Sequence, residues 1–175
     1  MAVLSIPEWP AATSSEGLRF FGAAETCFAA WKAKGVSTAF ALGMIAQAEA
    51  ESSFDPNAMG DRETIRSGGK APTAYGLYQL HGDRMAAVKA GIGIDLEALA
   101  RAKQCTIAQC IDAAWFEFNH MHWTGMAQIA QQKSARNAAV EACILFERAS
   151  ADGAAERRGQ MAERWSVYFA KKGFK

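Results

Sequence analysis

Several things are scarce in this sequence, and each scarcity excludes something. No segment approaches the roughly 18 uninterrupted apolar residues of a membrane-spanning helix, so no membrane insertion is expected. Neither sign of charge is in excess: 19 Lys and Arg stand against 18 Asp and Glu, a net charge of +1. A chain without a basic field is not drawn to nucleic acid. Residues 1–10 have no basic cluster, and Pro7 cuts their apolar run short, so no secretory signal is expected. There are three histidines. His120 and His122 fall two apart on a helical stretch and point in different directions, so they would not share an ion. Cysteine is limited to Cys27, Cys105, Cys110 and Cys143, with no C-x-x-C pair. A zinc ribbon or thioredoxin-like site is therefore disfavoured, and buried free thiols are expected. No metal and no organic cofactor are called for.

What is present is a helical pattern rich in Ala. The 175 residues suit one domain. Ser14 or Ser15 can cap a first helix running to Lys34. A second starts after Ser37 or Thr38 and reaches about Ser52, with Phe40, Met44, Ala48 and Glu51 along one side. Pro56 ends helical geometry there. The stretch 53–74 has three glycines, two prolines and no apolar period, so a long loop or a short irregular hairpin is expected. Helices are then expected at 83–90, 96–102, 107–123, 134–149 and 153–170. Asp83, Asp95 and Thr106 are the caps for the first three of these. On the last, Met161, Trp165 and Phe169 share a buried face, while Arg157, Arg158 and Arg164 read as solvated.

The chemistry concentrates between Ala46 and Arg84. Glu51 ends a helix at the edge of its apolar face. Partial desolvation and the negative end of the helix dipole should both favour its protonated form. That is what a general acid needs. Glu49 lies about 160° around the same helix from it and is expected to be salt-bridged or exposed. Tyr75 and Tyr78 offer rings with polar tips for sugars, and Gln79 offers a donor and an acceptor for N-acetyl groups. Asp61 is the candidate base for positioning water. Asp55 reads as part of the turn into Pro56.

These residues carry a family resemblance. Glu51-Ser52-Ser53-Phe54-Asp55-Pro56-Asn57-Ala58 resembles the ES-x-F-x-P-x-A segment of lysozyme-like lytic transglycosylases and phage tail lysozymes. Gly76-Leu77-Tyr78-Gln79 resembles their G-L-x-Q segment. Gly60-Asp61, Ala74-Tyr75, His81-Gly82-Asp83-Arg84 and Phe146-Glu147-Arg148-Ala149 are similar to the phage tail lysozyme family in particular. The two main motifs lie 24 residues apart, from Glu51 to Tyr75.

The resemblance implies a mainly α, lysozyme-like domain over residues 14–175, preceded by an extension at 1–13, with the 53–74 loop walling a glycan cleft. It implies cleavage of the β-1,4 bond between N-acetylmuramic acid and N-acetylglucosamine, with Glu51 as acid. Ser52, Tyr75 and Gln79 would line the glycan groove, and Tyr78, by its ring, and His81, by its place beside the motif, are further expected contacts. Tyr78 stands where many transglycosylases carry Met, so the product form stays open between hydrolysis and 1,6-anhydro transglycosylation. A virion protein that only binds glycan is the other reading. The implied partners are peptidoglycan strands and phage tail or baseplate proteins. The implied place of action is the cell wall, reached on the virion.

Overall fold

Side-chain caps set most helix starts. The Ser14 hydroxyl accepts from the Gly17 N–H and opens α1, Ser15–Ala33. Ser37 does the same with Phe40 for α2, Thr38–Ser52. The computed structural model describes residues 6–60, 73–121, 123–147 and 153–174. After α2 comes a two-stranded antiparallel hairpin, β1 Ala74–Tyr75 and β2 Leu80–His81, in the register Ala74 to His81 and Tyr75 to Leu80. Then follow α3 Asp83–Ile92, α4 Leu96–Arg101, α5 Ile107–His120, α6 Trp123–Ala130, α7 Ala135–Ala142 and α8 Ala154–Lys171. The fold is mainly α, as expected, and no described helix is long and apolar enough to cross a membrane.

Three boundaries differ from the sequence reading. Gly82 occupies the cap position of α3, so Asp83 is its first residue rather than its cap. The expected 107–123 helix ends at His120, because the chain turns at Met121 before α6 begins. The expected 134–149 helix is regular only to Ala142 and then widens into a π-helical turn, Cys143–Glu147. Asp95 and Thr106 cap as expected, Thr106 within a full capping box.

The core is organised around α2. Every residue from Phe40 to Glu49 is buried, so this is a core helix without a solvent face. It packs on α1, α7 and α8. Met161, Trp165 and Phe169 of α8 are buried together, as expected. All four cysteines are free and buried, and burial pushes the Cys27 thiol up to about 12.

Gly43 lets α2 and α7 approach closely. A Cβ there would lie 2.9 Å from the Ala138 carbonyl carbon and 3.0 Å from the Ala139 nitrogen. Backbone cannot step aside as a side chain can. Gly43→Ala should therefore be destabilising, since overpacking costs about 1–3 kcal/mol and exceeds the roughly 1 kcal/mol that Ala gains over Gly in a helix. Urea unfolding measures this. An unchanged or raised midpoint would show that the two helices separate freely.

Candidate active site

Glu51 lies in the last turn of the buried helix α2, so the core fixes its position. The chain then leaves sharply. Ser53 (φ 51°) and Phe54 (φ 65°) both adopt left-handed backbone. For a bulky residue such as Phe this is strained, and it persists only where the surroundings enforce it. Here the Phe54 ring is 3% exposed and packs on Phe20 and Trp165, at centroid distances of 5.1 and 5.6 Å. The N–H groups of Ser53 and Phe54 donate back to Glu49 and Ala48. In E-S-S-F, then, the Phe pins the turn that leaves the Glu at a lip.

That lip borders a cleft of about 550 Å³. Glu51 lines it together with Glu49, Trp9, Phe20, Arg157 and Arg158. The Glu51 side chain is 23% exposed, and its Oε1 accepts from Nη2 of Arg158, whose side chain is 10% exposed. The arginines of α8 are thus not the solvated face that the sequence suggested. The helix runs past the acidic end of α2, which supplies partners for Arg158 and Arg164, while Arg157 lines the cleft. Arg164 donates to Glu49 Oε1 and to the Pro7 carbonyl, each at 2.7 Å.

Glu49 is salt-bridged, one of the two expected outcomes, and is 6% exposed. It also accepts from the indoles of Trp9 at 2.9 Å and Trp165 at 2.7 Å. Burial raises its carboxyl above the ordinary range, against the opposing pull of Arg164 and the two indoles. Burial lowers Arg164. Each partner is pushed toward its neutral form, the signature of a desolvated ion pair.

The other expected site residues are dispersed. Tyr75 and Tyr78 are each 1% exposed, which corrects the reading of sugar-facing rings. The hairpin turns them inward. The Tyr78 hydroxyl accepts from the Trp31 indole at 2.7 Å, and the Tyr75 hydroxyl donates to Glu97 and accepts from Arg101. Gln79 closes its own turn, donating from Nε2 to the Gly76 carbonyl at 2.8 Å. The Ser52 hydroxyl donates to the Ala48 carbonyl. His81 is exposed at the end of β2. Asp55 accepts from the Asn57 N–H, the turn role expected of it. Asp61 lies outside the described residues. Among the described residues, Glu51 is the one expected site residue that lines this cleft.

Sequence reasoning assigned no role to Glu147. It ends the π-helical turn, and its Oε1 is sealed from solvent without a hydrogen bond. Burial, and next the Glu51 charge, raise its carboxyl well above the usual range, opposed by Arg84 and Arg158. Arg84 is itself forked onto the fully buried Glu117, from Nε and Nη2. The signal was present: Glu147 ends an apolar run, Ala142 to Phe146.

A stability effect follows from Glu147. Its folded carboxyl binds a proton more tightly than the ordinary value of 4.5. Its contribution to stability is therefore full below that value and is lost as pH rises toward the folded one. Glu147→Gln, neutral at every pH, should escape the loss. Thermal melts at about pH 4 and about pH 7 should show the variant gaining on wild type at the higher pH. A constant difference would mean that Glu147 binds its proton equally well in the folded and unfolded chain.

The family described as phage tail lysozyme matches residues 22–169, nearly the whole chain. No curated protein and no solved structure matches it.

Proposed function

The chain belongs to the phage tail lysozyme family, and from that premise we propose that it cleaves the N-acetylmuramic acid to N-acetylglucosamine β-1,4 bond of peptidoglycan, with Glu51 as general acid. The family carries a lysozyme-like, peptidoglycan-degrading activity. The observation that carries the finer reading is Glu51 itself: a carboxyl fixed by a core helix and open to a cleft of about 550 Å³.

Glu51 protonates the glycosidic oxygen as the bond breaks, and an oxocarbenium-like centre develops on the sugar. Water, positioned by Asp61, completes the hydrolysis. Ser52, Gln79 and His81 contact the glycan. Tyr75 and Tyr78 support the hairpin from beneath instead of stacking on sugar. The protein acts from the phage tail, opening the wall during infection.

Digestion of purified peptidoglycan followed by mass spectrometry tests this. Fragments with free reducing ends are expected. 1,6-Anhydro-muramic ends would reassign the reaction to transglycosylation, and walls left intact by the wild-type protein would overturn the enzymatic reading.

A further inference from the structure

Beside the Glu51–Arg158 pair, two buried polar atoms of opposite kind stand without a hydrogen-bond partner. Arg158 gives Nη2 to Glu51, but its buried Nε has no acceptor. Glu147 Oε1 is buried and accepts from nothing. Folded proteins satisfy nearly all such atoms, so an orphaned donor and an orphaned acceptor on two side chains that interact electrostatically point to a second arrangement in which they meet. The two groups sense each other's charge, and Glu147 also senses Glu51.

The charged and titratable groups that interact electrostatically with Glu147 come from several elements. They are Glu51 on α2, Arg84 on α3, Glu117 on α5, Arg158 on α8, Tyr78 in the hairpin turn and Cys143 on the same turn. Of the two guanidiniums, Arg84 is already forked onto Glu117. Arg158 is the one with a spare donor.

We propose that Glu147 is a positioning residue that takes Arg158 from Glu51 when glycan enters the cleft, so that Glu51 is released in its acid form. The proposal rests on the reading of Glu51 as general acid. Its balance is one proton and one guanidinium exchanged between two carboxyls. In the empty cleft Arg158 pairs with the Glu51 carboxylate, and Glu147 holds the proton. In the loaded cleft Arg158 pairs with the Glu147 carboxylate, and the proton sits on Glu51, ready for the glycosidic oxygen. No co-reactant is consumed, and the net charge of the cluster is unchanged. The setting suits a residue that must shift, because π-helical turns recur at functional sites.

The test is the pH dependence of kcat and KM on soluble peptidoglycan fragments, for wild type, Glu147→Gln and Glu147→Asp. Gln keeps the size and the neutral state of Glu147 but can neither release a proton nor take the guanidinium's charge. For Glu147→Gln, kcat should fall by about tenfold or more with KM nearly unchanged, and the alkaline limb of the profile should move to lower pH. Glu147→Asp should recover part of kcat and the wild-type limb. Thermal melts confirm that each variant is folded. A wild-type kcat and pH profile in folded Glu147→Gln overturns the proposal, and so does a loss that follows melting temperature with no movement of the limb. The Glu51 reading fails separately: if Glu51→Gln is as active as wild type, both fall, whereas an inactive Glu51→Gln beside an unaltered Glu147→Gln removes this proposal alone.

Discussion

Glu51→Gln is expected to reduce digestion of purified cell walls by at least about a hundredfold, the lower end of the roughly 10²–10⁴ that a positioned general acid supplies. The substitution isolates the proton. Gln has the same length, and its amide oxygen can still accept from Arg158 Nη2, so the contact between α2 and α8 survives. The cleft keeps its walls because they are built by Trp9, Phe20 and the α8 arginines. Retention on insoluble peptidoglycan should therefore persist in a pull-down while turnover disappears, and the melting temperature should move little. A variant clearing walls at even half the wild-type rate would remove Glu51 from its role. The acid would then be another group, whereas walls left intact by wild type and variant alike would favour the glycan-binding virion protein.

Glu49→Ala produces the largest expected loss of stability. Glu49 gathers Arg164 and two indole N–H groups into a site that is 6% exposed. Alanine abandons all three donors at once. Removing one member of a buried pair costs about 3–5 kcal/mol, chiefly because the remaining charge is left uncompensated. Part of that can be recovered, since the Arg164 side chain is 23% exposed and can turn toward water. Trp165 cannot turn: it is fully buried and packed against Trp9, ring centroids 4.3 Å apart and tilted by 40°. Urea denaturation should show a loss of about 3 kcal/mol or more for Glu49→Ala. Glu49→Gln should cost less, because its amide oxygen still accepts from an indole. Equal losses in the two variants would mean that the charge carries the whole effect and that the hydrogen bonds Gln retains carry none.

The helical course of this chain was legible because its signals are local. Ser14, Ser37, Asp95, Thr106 and Ser134 all accept from the backbone of the turn they open, a relation contained within four residues. Glu51 was legible through its motif. The misreadings concern direction and partnership, which are settled across the chain. Tyr75 and Tyr78 look like sugar platforms beside a glycine-rich loop. A two-residue strand cannot tell which way its rings face until Trp31, 47 positions earlier, claims the Tyr78 hydroxyl. The α8 arginines look solvated on a helical wheel, yet Arg158 meets Glu51 across 107 residues and Arg164 meets Glu49 across 115. Glu147 was hidden for a related reason. An acid closing an apolar run is ordinary until other elements bring Glu51, Arg84 and Arg158 within reach of it.

The segment before α1 bears on how this protein can be trimmed. The family match begins at residue 22, beyond Trp9 and the Ser14 cap. Yet Trp9 packs on Trp165, lies under the Arg164 guanidinium at 4.1 Å and bonds to Glu49, while Gly17 lacks the Cβ that would strike the Ala11 carbonyl. At the other end Phe174 packs edge-on against Phe28 and Phe169. A fragment cut to the matched boundaries would strip both aromatic covers, uncovering apolar surface and the buried acid together. The limits of resemblance here fall inside the limits of the folded unit, and a lysin engineered from this chain has to carry its flanks with it.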